Sequence, residues 1–129
     1  TVAMIHLNLA DRLELGNINA RRDWGYSPEY VTAMYAMLNH DEPDDYVIST
    51  GKLHSVCDFL EHAFSVVGLD YRDYMCINPE YFRPHESVPL QGDYSKAELV
   101  LGWRPTKSLS EIAHEMVLAD IALLEQQQS

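Results

Sequence analysis

The sequence predicts a layered α/β or α+β fold of about four to five helices with short strands. Three observations carry this: apolar residues recur at helical spacing behind capping signals, short strand-like runs alternate with them, and no repeat or Gly/Ser/Pro-rich linker divides the chain. At 129 residues the chain suffices for one domain, residues 1–129, burying roughly 65–70% of its unfolded surface.

Taken in order, the first ten residues read as the back half of a helix with no start signal. The alternation Arg12-Leu13-Glu14-Leu15 before Gly16 predicts a strand. Ser27-Pro28 predicts a cap followed by a first-turn proline, with Tyr30, Val31, Met34, Tyr35 and Leu38 as one apolar stripe. The acidic run His40–Asp45 follows as a charged surface turn, and Tyr46–Thr50 before Gly51 predicts a second strand. Ser55 with Asp58 predicts a variant capping box, opening a helix through Val56, Phe59, Leu60, Ala63, Phe64 and Val67 that stops at Gly68. Tyr74–Ile77 predicts a third strand. Ser95 with Glu98 and Ser108 with Glu111 repeat the capping-box spacing. The first opens a short helix ending at Gly102, the second a long one carrying Leu109, Ile112, Ala113, Met116, Val117 and Leu124, with Asp120 on or near that stripe.

Nine basic side chains face twenty acidic ones, a formal net charge of −11, which disfavours nucleic acid and anionic membrane as partners, since both need a cationic field. No apolar run approaches the roughly 20 residues that span a bilayer, and the N-terminus lacks the order of a signal peptide, so a cytoplasmic address is expected. Cys57 and Cys76 are too few for a disulfide framework and are expected to be reduced core thiols.

The familiar catalytic motifs are absent: no G-x-G-x-x-G, no P-loop, and no second histidine four residues after His114. The residues four before the three lysines are Ile48, Gly92 and Trp103, which excludes a Tyr-x-x-x-Lys pair. Asp58 and His62, with His54 near them, have metal-ligand spacing but no third ligand, so a solvated ion pair is expected and no metal. The pair Arg21-Arg22 stands out against the acidic background. Its forked donors suit a diphosphate; the alternative is a salt bridge of Arg22 with Asp23 or another acid. Tyr81–Glu86 places Arg83 three residues before Glu86 among aromatics, a pattern that fits phosphate and ribose contacts or an internal ion pair.

The runs LGNINARRDWG, HDEPDDYVISTGKLHSV, NPEYFRP and GDYSKAELVLGWRP, in that order, resemble the GDP-mannose 4,6-dehydratase family of the extended short-chain dehydrogenases/reductases. The resemblance implies a two-lobed enzyme of which this chain is only the C-terminal, substrate-binding lobe. The absent N-terminal Rossmann lobe would carry the NADP glycine loop, a Thr, a Glu base and the Tyr-x-x-x-Lys pair. The family reaction oxidises C4 of the mannose of GDP-mannose, removes water across C5 and C6 and returns the hydride to C6, giving the 4-keto-6-deoxy product. By the same resemblance Leu15, Gly16 and Asn17 would lie near the guanine, Arg22 and Arg83 would hold the diphosphate, Glu86 would accept from ribose hydroxyls, and Arg22 would also border the cofactor. Departures fall at Tyr26–Glu29, where the family usually has His-Ala-Lys-Asp, at Cys57, where Arg is usual, and at His85–Val88, where Thr-Glu-Val-Asp is usual. The expected chain is not catalytic alone and binds GDP-mannose weakly, with a Rossmann lobe or a second copy as protein partner. The alternative is a noncatalytic GDP-sugar-binding or protein-interaction module derived from the family.

Overall fold

Short strands set between helices give the described chain its order: α1 (Val2–His6), β1 (Leu13–Leu15), β2 (Arg21–Arg22), α2 (Ser27–Leu38), β3 (His54–Ser55), α3 (Val56–Val66), β4 (Met75–Ile77), α4 (Ser95–Leu101) and α5 (Leu109–Gln128). Two 3₁₀ turns, Tyr71–Asp73 and Pro79–Tyr81, flank β4. The computed structural model describes residues 1–83 and 88–128. Contacts divide the chain into two units.

The first unit holds the described residues of Thr1–Ala20, Ser55–Ser87 and Leu109–Ser129. Its best-formed element is α3, where the Ser55 hydroxyl accepts from the Asp58 N–H (3.0 Å) and the Asp58 carboxylate accepts from the Ser55 N–H (2.8 Å). This reciprocal box satisfies two helix-end donors, as the sequence predicts. At the other end Gly68 takes φ +70°, a conformation that glycine adopts without steric cost. The inward face of α3 buries Leu60 and Phe64 against Ile5 and Tyr71, while Ala63 meets Ala113 and Val117 of α5, small side chains that let the two helices approach closely. β1 and β4 pair in parallel, with Leu13 opposite Met75 and Leu15 opposite Ile77.

The second unit, Arg21–His54 and Val88–Ser108, is built on a different cluster. Ala33 of α2 and Ala97 of α4 are fully buried beside Trp103, whose indole stands edge-on to Tyr30 (centroids 5.9 Å) and Tyr94 (6.2 Å). The Trp103 indole N–H donates to the Glu29 carbonyl at 2.8 Å, and the Glu29 carboxylate accepts from the N–H groups of Thr106 (3.0 Å) and Lys107 (3.2 Å) and from the Thr106 hydroxyl. Thus the first turn of α2 tethers the segment after Trp103.

Several local expectations are corrected. α2 begins at Ser27 itself behind Tyr26, with no side-chain cap, because Pro28 already fixes the first-turn dihedral. Its buried face is Tyr30, Ala33 and Met37, whereas Val31, Met34, Tyr35 and Leu38 are 57–85% exposed. Seven apolar side chains on two faces made the sequence stripe ambiguous. α4 begins at Ser95, and the Asp93 carboxylate accepts from the Ser95 N–H at 2.9 Å, so the acid two residues earlier does the work expected of Ser95. Gly102 ends this helix at φ +66°. Tyr46–Thr50 forms no strand among the described residues: it runs as an irregular segment whose Thr50 N–H goes to a side-chain carboxylate, leaving that donor no place in a ladder. Cys76 is exposed on β4, and only Cys57 is partly buried, its sulfur 2.9 Å from the Tyr71 hydroxyl. Asp120 continues the stripe that buries Leu109, Ile112, Ala113 and Val117 on α5 but is itself exposed, and Met116 is half-exposed.

Candidate functional site

In the first unit, the parallel pairing of β1 and β4 sends both following segments off the same edge. The Asn78 N–H donates to the Leu15 carbonyl at 2.7 Å, closing the ladder where the strands end. Leu15 is partly buried against the core, and its carbonyl is thereby committed. Gly16 lies under the Pro79–Tyr81 turn so closely that a Cβ there would stand 2.6 Å from the Tyr81 carbonyl oxygen and 2.9 Å from its carbon. Asn17 folds the chain back at once: its side-chain oxygen accepts from the Asn19 N–H at 3.0 Å. The turn after β4 is made the same way, the Asn78 side chain accepting from the Glu80 N–H (3.0 Å) while its amide donates to Glu14 (3.1 Å). Leu15, Gly16 and Asn17 are therefore gathered beside the segment that carries Arg83, which is exposed two residues past Tyr81. Ligands of open α/β sheets bind at such carboxyl ends of parallel strands. Glu86 lies outside the described residues.

Arg22 belongs to the second unit. It forms β2 with Arg21, and its guanidinium donates to the Arg21 carbonyl at 2.7 Å; the Arg21 guanidinium donates to the Leu53 carbonyl at 3.3 Å. The feature that sequence reasoning missed is Asp23. One of its oxygens accepts from the Thr50 N–H (2.8 Å) and hydroxyl (2.5 Å), the other from the N–H groups of Gly51 (2.9 Å) and Gly92 (3.2 Å). Partial burial would raise this carboxyl, but the bonds from Thr50, Gly92 and Gly51 overcome that and hold it below its usual range. A carboxyl depressed on folding contributes stability that is full above its unfolded value, near pH ~4, and is lost as pH falls through the folded value. The signal that pointed to Asp23 was an acid between Arg22 and Trp24, but its partners lie 27 and 69 residues away.

Asp58 is engaged in the α3 cap, and no group of three or more metal-ligating side chains occurs among the described residues. Two glycines outside the β1–β4 edge are closed off by neighbouring side chains. Gly25 lies shortly before α2, but the Tyr30 ring fills the space beside its Cα, and Gly92 is filled in the same way by Ser49. No described helix is long and apolar enough to cross a membrane.

A model of the GDP-mannose 4,6 dehydratase family matches residues 1–116. Among curated relatives, GDP-mannose 4,6 dehydratase 2 of Arabidopsis thaliana is 45% identical over 119 residues, covering 92% of this chain and 32% of the relative. The human GDP-mannose 4,6 dehydratase is 38% identical, over 96% of this chain and 38% of its own length. The chain thus spans about a third of the length of the relatives it matches. Solved structures share its fold at lower identity: RMD from Pseudomonas aeruginosa, complexed with NADPH, at TM-score 0.79 and 20% identity over 93% of this chain and 39% of that one. A UDP-glucose 4-epimerase from Thermotoga maritima, with UDP-glucose, aligns at TM-score 0.80 and 22% identity over 95% of this chain and 38% of that one.

Proposed function

Because this chain belongs to the GDP-mannose 4,6-dehydratase family, we propose that it is the substrate-binding portion of such an enzyme, converting GDP-mannose to its 4-keto-6-deoxy product only when joined to a dinucleotide-binding lobe. The observation that carries the reading is the shared edge of β1 and β4, where Leu15, Gly16 and Asn17 meet the segment leading to Arg83. In this reading Leu15–Asn17 face the guanine, Arg22 and Arg83 neutralise the diphosphate, and Glu86 accepts from ribose hydroxyls. NADP belongs to the missing lobe and supplies the hydride chemistry there. The contact proposed for it on this chain is Arg22.

A net charge of −11 repels a dianionic linker, so binding needs cations placed locally. A charge-assisted contact contributes roughly 1.5–3 kcal/mol, so two of them, less ordering costs, put GDP-mannose binding near millimolar. Arg83→Ala is expected to weaken the dissociation constant at least about tenfold in a chemical-shift titration with GDP-mannose. Arg72→Ala removes the same charge from a residue engaged with Asp70 and Glu61, and should leave the titration unchanged. Equal losses in both variants would reduce the effect to overall charge, and no loss in Arg83→Ala would remove that residue from the site.

The second apolar face of α2 supports the proposed partnership. Val31, Met34, Tyr35 and Leu38 are exposed at i, i+3, i+4, i+7 spacing on a helix whose other face is already buried. A helix apolar on both faces is covered on both in a complete protein. We assign the covering surface to the dinucleotide-binding lobe, and to a second copy when that lobe is absent. Light scattering is expected to give a mass above the monomer's that Met34→Lys with Leu38→Lys restores to monomer; a monomeric parent chain would overturn this.

A further inference from the structure

We propose that Asp23 is a positioning residue for Arg22, holding β2 in the form that presents the guanidinium to a diphosphate; this rests on the reading above that Arg22 meets that group. Two physical effects carry the proposal. The first is backbone order: β2 is two residues long and has little ladder of its own to fix it. The Asp23 carboxylate joins it through four hydrogen bonds to Thr50, Gly51 and Gly92, residues distant in sequence but within the same unit. Ordering a residue costs conformational entropy, so a segment already pinned loses less of it when the ligand arrives.

The second effect is electrostatic. A carboxylate directly after a phosphate-binding arginine is a competitor for the same fork of donors. Here each Asp23 oxygen accepts two hydrogen bonds from other groups, three of them from backbone N–H. Those donors offset the negative charge where it stands. The close fit of the surroundings agrees with a built device: a Cβ on Gly92 would run into the Ser49 side chain, so the N–H that reaches Asp23 comes from a position with no room for a larger residue. Gly51 supplies its N–H from φ +71°, in the left-handed region. The Gln91 side chain adds a 2.6 Å bond to the Gly51 carbonyl, tying the two donor segments to each other.

The test is a double-mutant cycle read by titration with GDP, on the whole chain at a temperature where circular dichroism shows each variant folded. Asp23→Asn keeps the shape but turns one acceptor into a donor facing an N–H, and is expected to weaken GDP binding about fivefold. Thr50→Val, which removes only the hydroxyl donor, should give a smaller loss and serves if Asp23→Asn does not fold. In an Arg22→Ala background either change should leave the remaining affinity unaltered, because Asp23 acts through Arg22; a merely structural role would lower it in both backgrounds. Loss of the same size with and without Arg22, or no loss in the parent, overturns the proposal while leaving Arg22 as a ligand contact. An Arg22→Ala variant that binds GDP as well as the parent overturns the diphosphate reading of Arg22, and with it this proposal.

Discussion

Gly16→Ala is expected to destabilise the protein by about 2–3 kcal/mol and to abolish measurable GDP-mannose binding at concentrations where the parent chain responds. The reason is the identity of the atoms in the way. A Cβ at this position stands 2.6 Å from the Tyr81 carbonyl oxygen and 2.9 Å from its carbon, and these are backbone atoms that cannot rotate aside. Relief requires the Pro79–Tyr81 turn to move off the end of β1. That movement strains the 2.7 Å bond from the Asn78 N–H to the Leu15 carbonyl and displaces the segment carrying Arg83. Gly68→Ala is the control. Gly68 has φ +70° and nothing within 4 Å of an added Cβ, so the same chemical change costs only the left-handed strain, about 1 kcal/mol, with no effect on binding. Denaturant midpoints and titrations on the two variants separate the causes. A Gly16→Ala protein as stable as Gly68→Ala would mean that the two segments do not meet as closely as described.

This contrast marks what was legible in the sequence. Features closed within a few residues read correctly, the Ser55–Asp58 box and the stop glycines Gly68 and Gly102, and β1 and β4 were legible as strands though not as a pair. Features that depend on a distant partner did not. Tyr46–Thr50 has the composition of a strand, yet Asp23, far away in the chain, takes the Thr50 N–H. The face of α2 that packs was decided by Trp103, not by the count of apolar side chains, and the choice of Asp93 over Ser95 as cap was hidden by two polar residues standing close together. For the site, the residue types were visible in LGNINARRDWG and NPEYFRP, and the family resemblance named them. What the sequence concealed was why Gly16 is a glycine and where the Asp23 carboxylate is spent.

Phe64→Ala is expected to give the largest loss of stability, about 3–5 kcal/mol, a large part of the 5–15 kcal/mol that holds a typical domain folded. Among the described residues Phe64 is the largest side chain that is fully buried, at 1% exposure, and its ring stacks on Tyr74 at 5.9 Å between centroids. The cavity left behind is bounded by Leu60, Ile5 and Tyr71, which are held from several sides and cannot all collapse into it. The consequence reaches the site because Leu13, Leu15 and Met75 pack against the same cluster, so this core lies beneath the parallel pair. Hydrogen exchange would locate the effect: the Leu13 N–H, bonded to the Tyr74 carbonyl at 2.9 Å, and the Asn78 N–H should lose protection together with the global unfolding energy. If instead these two amides keep parental protection while the midpoint falls, the β1–β4 edge draws its order from elsewhere and not from the aromatic core.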